Sequence, residues 1–405
     1  MIKLFDSGAE FIIDRLTERG YQAYYVGGCV RDSIMGRTIA DYDITTNCLA
    51  DELLNVFSDC KFFTAGLKHG TVSLVINSNV YEVTTFRKDG EYLDSRRPEK
   101  VYFCDDIKQD LARRDFTCNA MAFNKNQGLI DVFNGFYDIQ SKLIRAVGDA
   151  KMRFSEDALR ILRALRFASK LGFEIEEKTK AALFEKSVLL KNISNERIIS
   201  EFLNILQGLN CEHVLLSYRS VFEIFFPLIK GVSECEYFDI VAPIKFANSV
   251  SVKLAILCRD FNALEVKKLL VSLKCDSKTV REVITLCENQ NFNLTNDCDL
   301  KFLMNRLNGY INCYFEFNRA ILFAKENRDC LDKLNHFEAR ANQVIENGEC
   351  YLIKHLALDG NHLIELGINQ RQIGGYLNDL LLAVIKNQVT NNRKDLLNYL
   401  KEKLK

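Results

Sequence analysis

The sequence predicts an α+β fold, with a mixed α/β segment up to about residue 145 and an all-helical remainder. Three observations carry that prediction. Short apolar strand-like runs alternate with helical stretches and Gly- or Asn-containing turns as far as Gly148. Beyond Gly148 the strand patterns fade, and amphipathic stretches such as Glu156 to Leu171 and Glu196 to Leu206 dominate. No fixed-period repeat and no Pro- or Gly/Ser-rich linker interrupts the chain, which has 3 prolines in 405 residues.

The elements follow in order. Ser7 to Arg19 has helical periodicity through Phe11, Ile12 and Leu16, and Gly20 stops it. Ala23 to Val26 is a short apolar strand running into Gly27 and Gly28. Cys29 to Met35 reads as a short helix before Gly36, and Asp41 to Thr45 alternates as a strand. Thr71 to Ile76 and Val80 to Phe86 read as two strands joined through Asn77, Ser78 and Asn79, a hairpin signal. Arg87 to Pro98 is polar and aperiodic, which predicts a mobile loop.

Composition bounds the function. A chain of 405 residues, 48% hydrophobic and 27% charged, fits a globular protein of two to four domains. Met1 to Ser7 lacks the apolar core of a signal peptide, and no run of about 18 apolar residues occurs, so a cytoplasmic protein with no membrane association is expected. The 14 cysteines are scattered without paired spacing or a partnering histidine, which favours free thiols over disulfides or zinc. With 54 basic and 54 acidic residues the net charge is zero, so any nucleic-acid contact must come from a local basic face.

The chemistry concentrates in two places. Gly27, Gly28 and Arg31 stand at a strand-to-helix turn, where backbone N–H groups approach an anion closely and an arginine reaches a phosphate or ribose oxygen. Asp41 and Asp43 follow, two apart on a strand and therefore on one face, a pairing that suits Mg²⁺ with substrate phosphates as further ligands. Either fragment alone reads as a turn or a solvated strand end; together, in this order, they point to phosphoryl transfer. Glu82 is either a third carboxylate or an exposed strand residue, and His69 is read as packing or capping its turn.

The run from Tyr25 to Gly36 with Asp41 to Thr46 resembles the first signature of the class II tRNA nucleotidyltransferase and bacterial poly(A) polymerase family. Gly66 to Thr71, Glu82 to Arg87, Asp110 to Ala122, Asp131 to Gly135 and Glu156 to Phe167 continue the resemblance in the family's order. It implies a polymerase-β-like mixed-sheet nucleotidyltransferase head followed by all-α neck, body and tail. It also implies that Asp41 and Asp43 are catalytic magnesium ligands, and that Gly28, Arg31, Arg114, Asp157, Arg160, Arg163 and Arg166 bind nucleotide. Without the family, Arg113 and Arg114 read equally well as a salt-bridged loop.

Asp157 and Arg160 fall on the family's templating motif. On one helix they would be neighbours three residues apart, and the plain alternative is a solvated ion pair. Beside a nucleotide they do more. Cytosine and adenine each offer an amino donor next to a ring-nitrogen acceptor, matching a carboxylate and a guanidinium. Uracil and guanine reverse both partners, and each mismatched buried group costs ~1–3 kcal/mol. The segment Phe86 to Pro98 resembles the family's loop associated with the switch from C to A addition, with a solvated surface loop as the alternative.

Asn195 to Ile199 and Glu201 fit a further block that supports the pocket, and Leu358 to Gly367 with Ile373 and Gly374 resemble the tail that holds the tRNA elbow. Arg393, Lys394, Lys401, Lys403 and Lys405 are either a phosphate-contacting cluster or a frayed helix end. The expected division is 1–145 head, 146–206 neck, 207–325 body and 326–405 tail. The expected activity is template-independent addition of C, C and A to tRNA, contacted at acceptor stem and elbow, from CTP and ATP. A homodimer is compatible with the sequence. An A-adding specialist, a poly(A) polymerase and a catalytically inactive RNA-binding relative are the alternatives.

Overall fold

Asp6 starts the first helix, α1 (Ser7–Glu18), by accepting the backbone N–H groups of Gly8 and Ala9 at 3.1 and 2.9 Å. The computed structural model describes residues 6–89 and 101–403. The chain divides into two compact units, Met1–Pro227 and Leu228–Lys405.

The first unit is built on a seven-stranded mixed sheet. Its strands are β1 (Ala23–Val26), β2 (Asp43–Thr46), β3 (Lys61–Phe63), β4 (Thr71–Ile76) and β5 (Asn79–Thr85), then, beyond a separate hairpin, Met121–Asn124 and Gly128–Asp131. That hairpin pairs β6 (Arg87–Asp89) with β7 (Val101–Phe103), so the last two sheet strands are β8 and β9. The order across the sheet is β3-β4-β5-β2-β1-β8-β9. All four residues of β1 are buried, as befits a central strand covered on both faces. β1 pairs antiparallel with β2 and β8, whereas β2 pairs parallel with β5 in a register that sets Asp43 opposite Glu82.

The β4–β5 hairpin turns at Asn77 and Ser78, both with positive φ (51° and 68°), the backbone that a tight two-residue turn between twisted strands requires. Apart from one further pair of two-residue strands, the other described elements of this unit are helical. They include α2 (Gly28–Ile34), α3 (Ala50–Val56), α4 (Ile107–Ala112), α5 (Gly135–Gln140), α6 (Ala150–Glu156), α7 (Leu159–Leu171), α8 (Glu177–Lys186) and α9 (Asn195–Leu206). α7 buries one side almost completely, with Ile161, Leu162, Ala164 and Leu165 at 0% exposure, and packs on α9.

Four expectations need correction. The strand expected from Asp41 starts at Asp43, leaving Asp41 in the connecting segment. The loop expected from Arg87 begins as β6; residues 90–98 of it lie outside the described residues. The single helix expected over Glu156 to Leu171 is two helices, because Asp157 adopts extended backbone (φ −140°, ψ 102°) between α6 and α7. Past Gly148 one short strand survives among the described residues, Glu174–Ile175, paired with Leu143–Ile144.

The second unit is helical among its described residues. Asn262, Asp276 and Asn296 cap successive helices with their side chains, and Ser233 with Glu236 forms a capping box. Arg340 donates four hydrogen bonds, two to Asp297 and two to Glu349, and Lys301 pairs with both carboxylates, tying the helices Asp297–Leu307 and Arg328–Glu346 to the following chain. All 14 cysteines are free thiols; Cys235 is exposed, and the others are buried or half-buried.

Candidate active site

The turn after β1 supplies the first wall. Gly27 has φ +76°, and a Cβ there would stand 3.1 Å from Nη1 of Arg114, so glycine provides both the backbone conformation and the room for that guanidinium. α2 has seven residues, so its dipole is short and the anion-binding character rests on the exposed turn and its arginines. Arg31 is fixed by a two-pronged pair with Asp32 at 2.9 Å and by donating to Asn119 Oδ1 at 2.6 Å. The Cys29 sulfur lies 3.3 Å from the carbonyl of Val26 and 3.8 Å from that of Asp43, so its one S–H holds the start of β2 close to the turn.

The acidic wall is Asp43, with Asp41 before it and Glu82 across the ladder. Asp43 keeps contact with solvent, but protein crowds it: loss of hydration raises its carboxyl above the usual range, Arg114 opposes the rise, and Glu82 and Asp41 add to it. Hard oxygens collected this way suit a divalent cation that completes its shell with phosphate and water. Among the described residues no three His, Cys, Asp or Glu side chains form a ready-made metal shell.

The basic wall comes from α7 and the segment before it. Asp115 is buried, and burial pushes its carboxyl up; the charge and hydrogen bond of Arg163, with help from Arg160, hold it below the usual range. Arg163 binds it at 2.6 and 2.8 Å. Arg166 donates to Glu201 at 3.1 Å; burial lowers the Arg166 pKa and raises that of Glu201. Arg114 and Arg113 share Asp110, which is fully buried yet held below the usual carboxylate range by the two guanidinium charges against the effect of burial.

Phe167 joins the walls. The guanidinium carbons of Arg31, Arg163 and Arg166 lie 5.4, 5.7 and 4.8 Å from its ring centroid. The glycine turn and the arginine helix therefore meet around one ring. Asp157 and Arg160 stand beside this cluster without pairing to each other. Asp157 Oδ2 is bound by Arg197 at 2.9 Å, and Oδ1 accepts the Leu159 N–H at 3.1 Å. Arg160 binds Glu156 at 2.6 Å and donates to the carbonyls of Arg153 (3.3 Å) and Arg113 (3.2 Å). The simple ion pair between them is thus absent, each group having its own tether. Sequence reasoning left Phe167, Asn119, Asp115, Glu156 and Arg197 without roles, although all five lie in or beside the motifs singled out.

Residues 23–145 match the family described as "Poly A polymerase head domain", and residues 172–231 that described as "Probable RNA and SrmB- binding site of polymerase A". The CCA-adding enzyme of Staphylococcus epidermidis is 32% identical over 406 residues, covering 96% of this chain and 96% of that protein. The chain belongs to the class II tRNA nucleotidyltransferase family. A second member, the CCA-adding enzyme of Geobacillus thermodenitrificans, is 49% identical over 197 residues, 49% of this chain and 48% of that protein. The crystal structure of the Bacillus stearothermophilus CCA-adding enzyme in complex with CTP matches with a TM-score of 0.78 at 28% identity, covering 98% of this chain and 96% of that one. A tRNA nucleotidyltransferase complexed with a primer tRNA and an incoming ATP analog matches with a TM-score of 0.64 at 25% identity, covering 82% and 99%. Nucleotidyltransferase polymerases of this kind generally use a divalent metal. Among the described residues no helix is long and apolar enough to cross a membrane.

Proposed function

We propose that this nucleotidyltransferase adds C, C and A in turn to the 3′ end of tRNA, from CTP and ATP, without a nucleic-acid template and with release of pyrophosphate. One observation carries the reading: Asp157 and Arg160 are tethered separately, by Arg197 and Glu156, beside the cluster that Arg31, Arg163 and Arg166 form around Phe167. Held by other partners rather than by each other, the carboxylate and the guanidinium can each turn part of their hydrogen-bonding capacity to a base edge. That pattern accepts cytosine and adenine and opposes uracil and guanine.

In the reaction, the tRNA 3′ oxygen forms a bond to the α-phosphorus while the bond from that phosphorus to the pyrophosphate oxygen breaks. Arg31, Arg114, Arg163 and Arg166 hold the triphosphate and offset the charge that grows on the leaving group. Gly28 lets the backbone come close to the phosphates. Asp41 and Asp43 would hold magnesium, which when bound supplies Lewis-acid polarisation of the phosphate; Glu82 is the third carboxylate of the set. In this reading residues 1–145 are the head, 146–206 the neck, 207–325 the body and 326–405 the tail, and the enzyme works in the cytoplasm.

The test incubates the protein with tRNAs ending before, within and after CC, with CTP, ATP or both, and sequences the products. With both nucleotides the expected products all end in CCA, whereas CTP alone should stop at CC and ATP alone should extend only tRNA that already ends in CC. Addition of A to CC-ending tRNA alone would identify an A-adding specialist, and a run of A residues would identify a poly(A) polymerase.

A further inference from the structure

Residues 267–281 of the second unit hold five cations, Lys267, Lys268, Lys274, Lys278 and Arg281, against one acid, Asp276. The chain as a whole is balanced at 54 basic and 54 acidic residues, so this is a marked local excess. The helices Ala263–Ser272 and Ser277–Asn289 pack together here and border a groove of about 630 Å³. Its floor is aliphatic, from Val271, Val280 and Ile284, and its rim carries Lys267, Lys274 and Arg281.

The same two helices also carry the exposed acids Glu265 and Glu288, which are in no ion pair with these cations. All five cations are exposed, and among the described residues none of them takes part in an ion pair. Asp276 is occupied as the cap of the second helix, accepting from the backbone N–H groups of Lys278 and Thr279 at 3.1 and 2.9 Å. Glu282, next to Arg281, is buried and receives the hydroxyl of Ser251. The aliphatic floor lets the long stems lie on apolar surface while their heads extend outward. A low-dielectric wall lined by one sign of charge also concentrates the field above it.

We propose that this groove is a docking surface for the phosphodiester backbone of the substrate RNA, separate from the nucleotide cleft. The proposal rests on the reading that tRNA is the substrate. A cluster of exposed cations suits the closely repeated charges of a phosphate backbone. An acidic protein helix would instead want an enclosed apolar socket for an anchoring side chain, and here Val271 is 55% exposed on a shallow floor.

The test combines Lys267→Gln, Lys274→Asn and Arg281→Gln. Asparagine is chosen at 274 because that position has φ +62°, which asparagine tolerates. tRNA affinity is measured between about 50 and 200 mM salt, alongside CTP incorporation at saturating tRNA and thermal unfolding. Losing three phosphate contacts should weaken binding about tenfold or more at low salt and flatten the salt dependence by roughly two in log–log slope. Turnover at saturating tRNA and the melting temperature should stay unchanged, and the charge-preserving combination Lys267→Arg, Lys274→Arg and Arg281→Lys should bind like the parent. Unaltered affinity and slope in the neutralised variant, with CCA addition intact, would overturn the proposal. So would RNA binding that stays intact while an acidic helical peptide binds in a charge-dependent way. Failure of the unmodified protein to extend any tRNA would instead defeat the functional reading beneath it.

Discussion

Arg197 Nη2 sits 2.9 Å from Oδ2 of Asp157 and thereby keeps that carboxylate from collapsing onto Arg160, three residues along the chain. Removing Arg197 should free Asp157 to neutralise the very guanidinium it works beside. Arg197→Ala is therefore expected to raise misincorporation of U and G relative to C and A by about tenfold, the worth of one displaced buried hydrogen bond. Arg197→Lys should fall between, and tRNA affinity should hold. The ratio of the four nucleotides in sequenced products measures this; unchanged selectivity would count against separate tethering as the basis of choice.

The carboxylates give a second expectation. Asp41→Ala and Asp43→Ala should abolish addition while tRNA binding stays near normal, and Glu82→Gln should slow it by at least about a hundredfold, since charged-group interactions in a closed site are worth several kcal/mol. Near-normal turnover in the Asp43 variant would remove the metal assignment. Intact turnover in the Glu82 variant would return that residue to the status of an exposed strand position.

Phe167 offers a different kind of variant. Phe167→Leu keeps most of the apolar volume but loses the ring face that three guanidinium groups share. Each such contact is worth about 0.5–1 kcal/mol at an accessible site, so KM for CTP and ATP should rise roughly three- to tenfold with little change in kcat. Phe167→Tyr should restore it. A fall in kcat and melting temperature without a KM effect would mark the ring as packing alone.

Acid stability should depend on the second unit's ion network. Hydrogen bonding to Arg340, and then the contact with Lys301, hold the Glu349 carboxyl down to about 2 against an ordinary value of 4.5. A carboxyl depressed in the folded state stabilises the protein above its unfolded pKa and loses that contribution as pH falls through the folded one. The difference in urea midpoint between the parent and Glu349→Gln should thus be full above pH 4.5 and shrink towards zero as pH approaches about 2. A difference independent of pH would show that charge at Glu349 is not its source.

Local patterns were readable in advance. The helix from Ser7, the hairpin at Asn77 and Ser78, and the glycine turn at Gly27 each depend on neighbours a few residues away, and each appears as its sequence implies. The break at Asp157 was hidden because the apolar spacing of Ala158, Ile161, Leu162 and Leu165 runs on smoothly from α6. Glu82 could not be ranked, because its place opposite Asp43 comes from strand register, a long-range property. Phe167 looked like one more apolar helix residue; its neighbour Arg31 is contributed by a segment far off in the chain. Arg197 was invisible as the partner of Asp157 for the same reason, the two meeting only when α9 packs on α7.

The distribution of thiols has a practical sequel. Burial lifts the Cys29 and Cys275 thiols to about 11 and the Cys118 and Cys287 thiols to about 12, which leaves them protonated and slow towards electrophiles at neutral pH. Cys235, the one exposed cysteine among the described residues, stands at the start of the helix Glu234–Val241. A maleimide fluorophore should attach there first, giving the helical unit a built-in reporter for following RNA engagement in real time without any engineered residue.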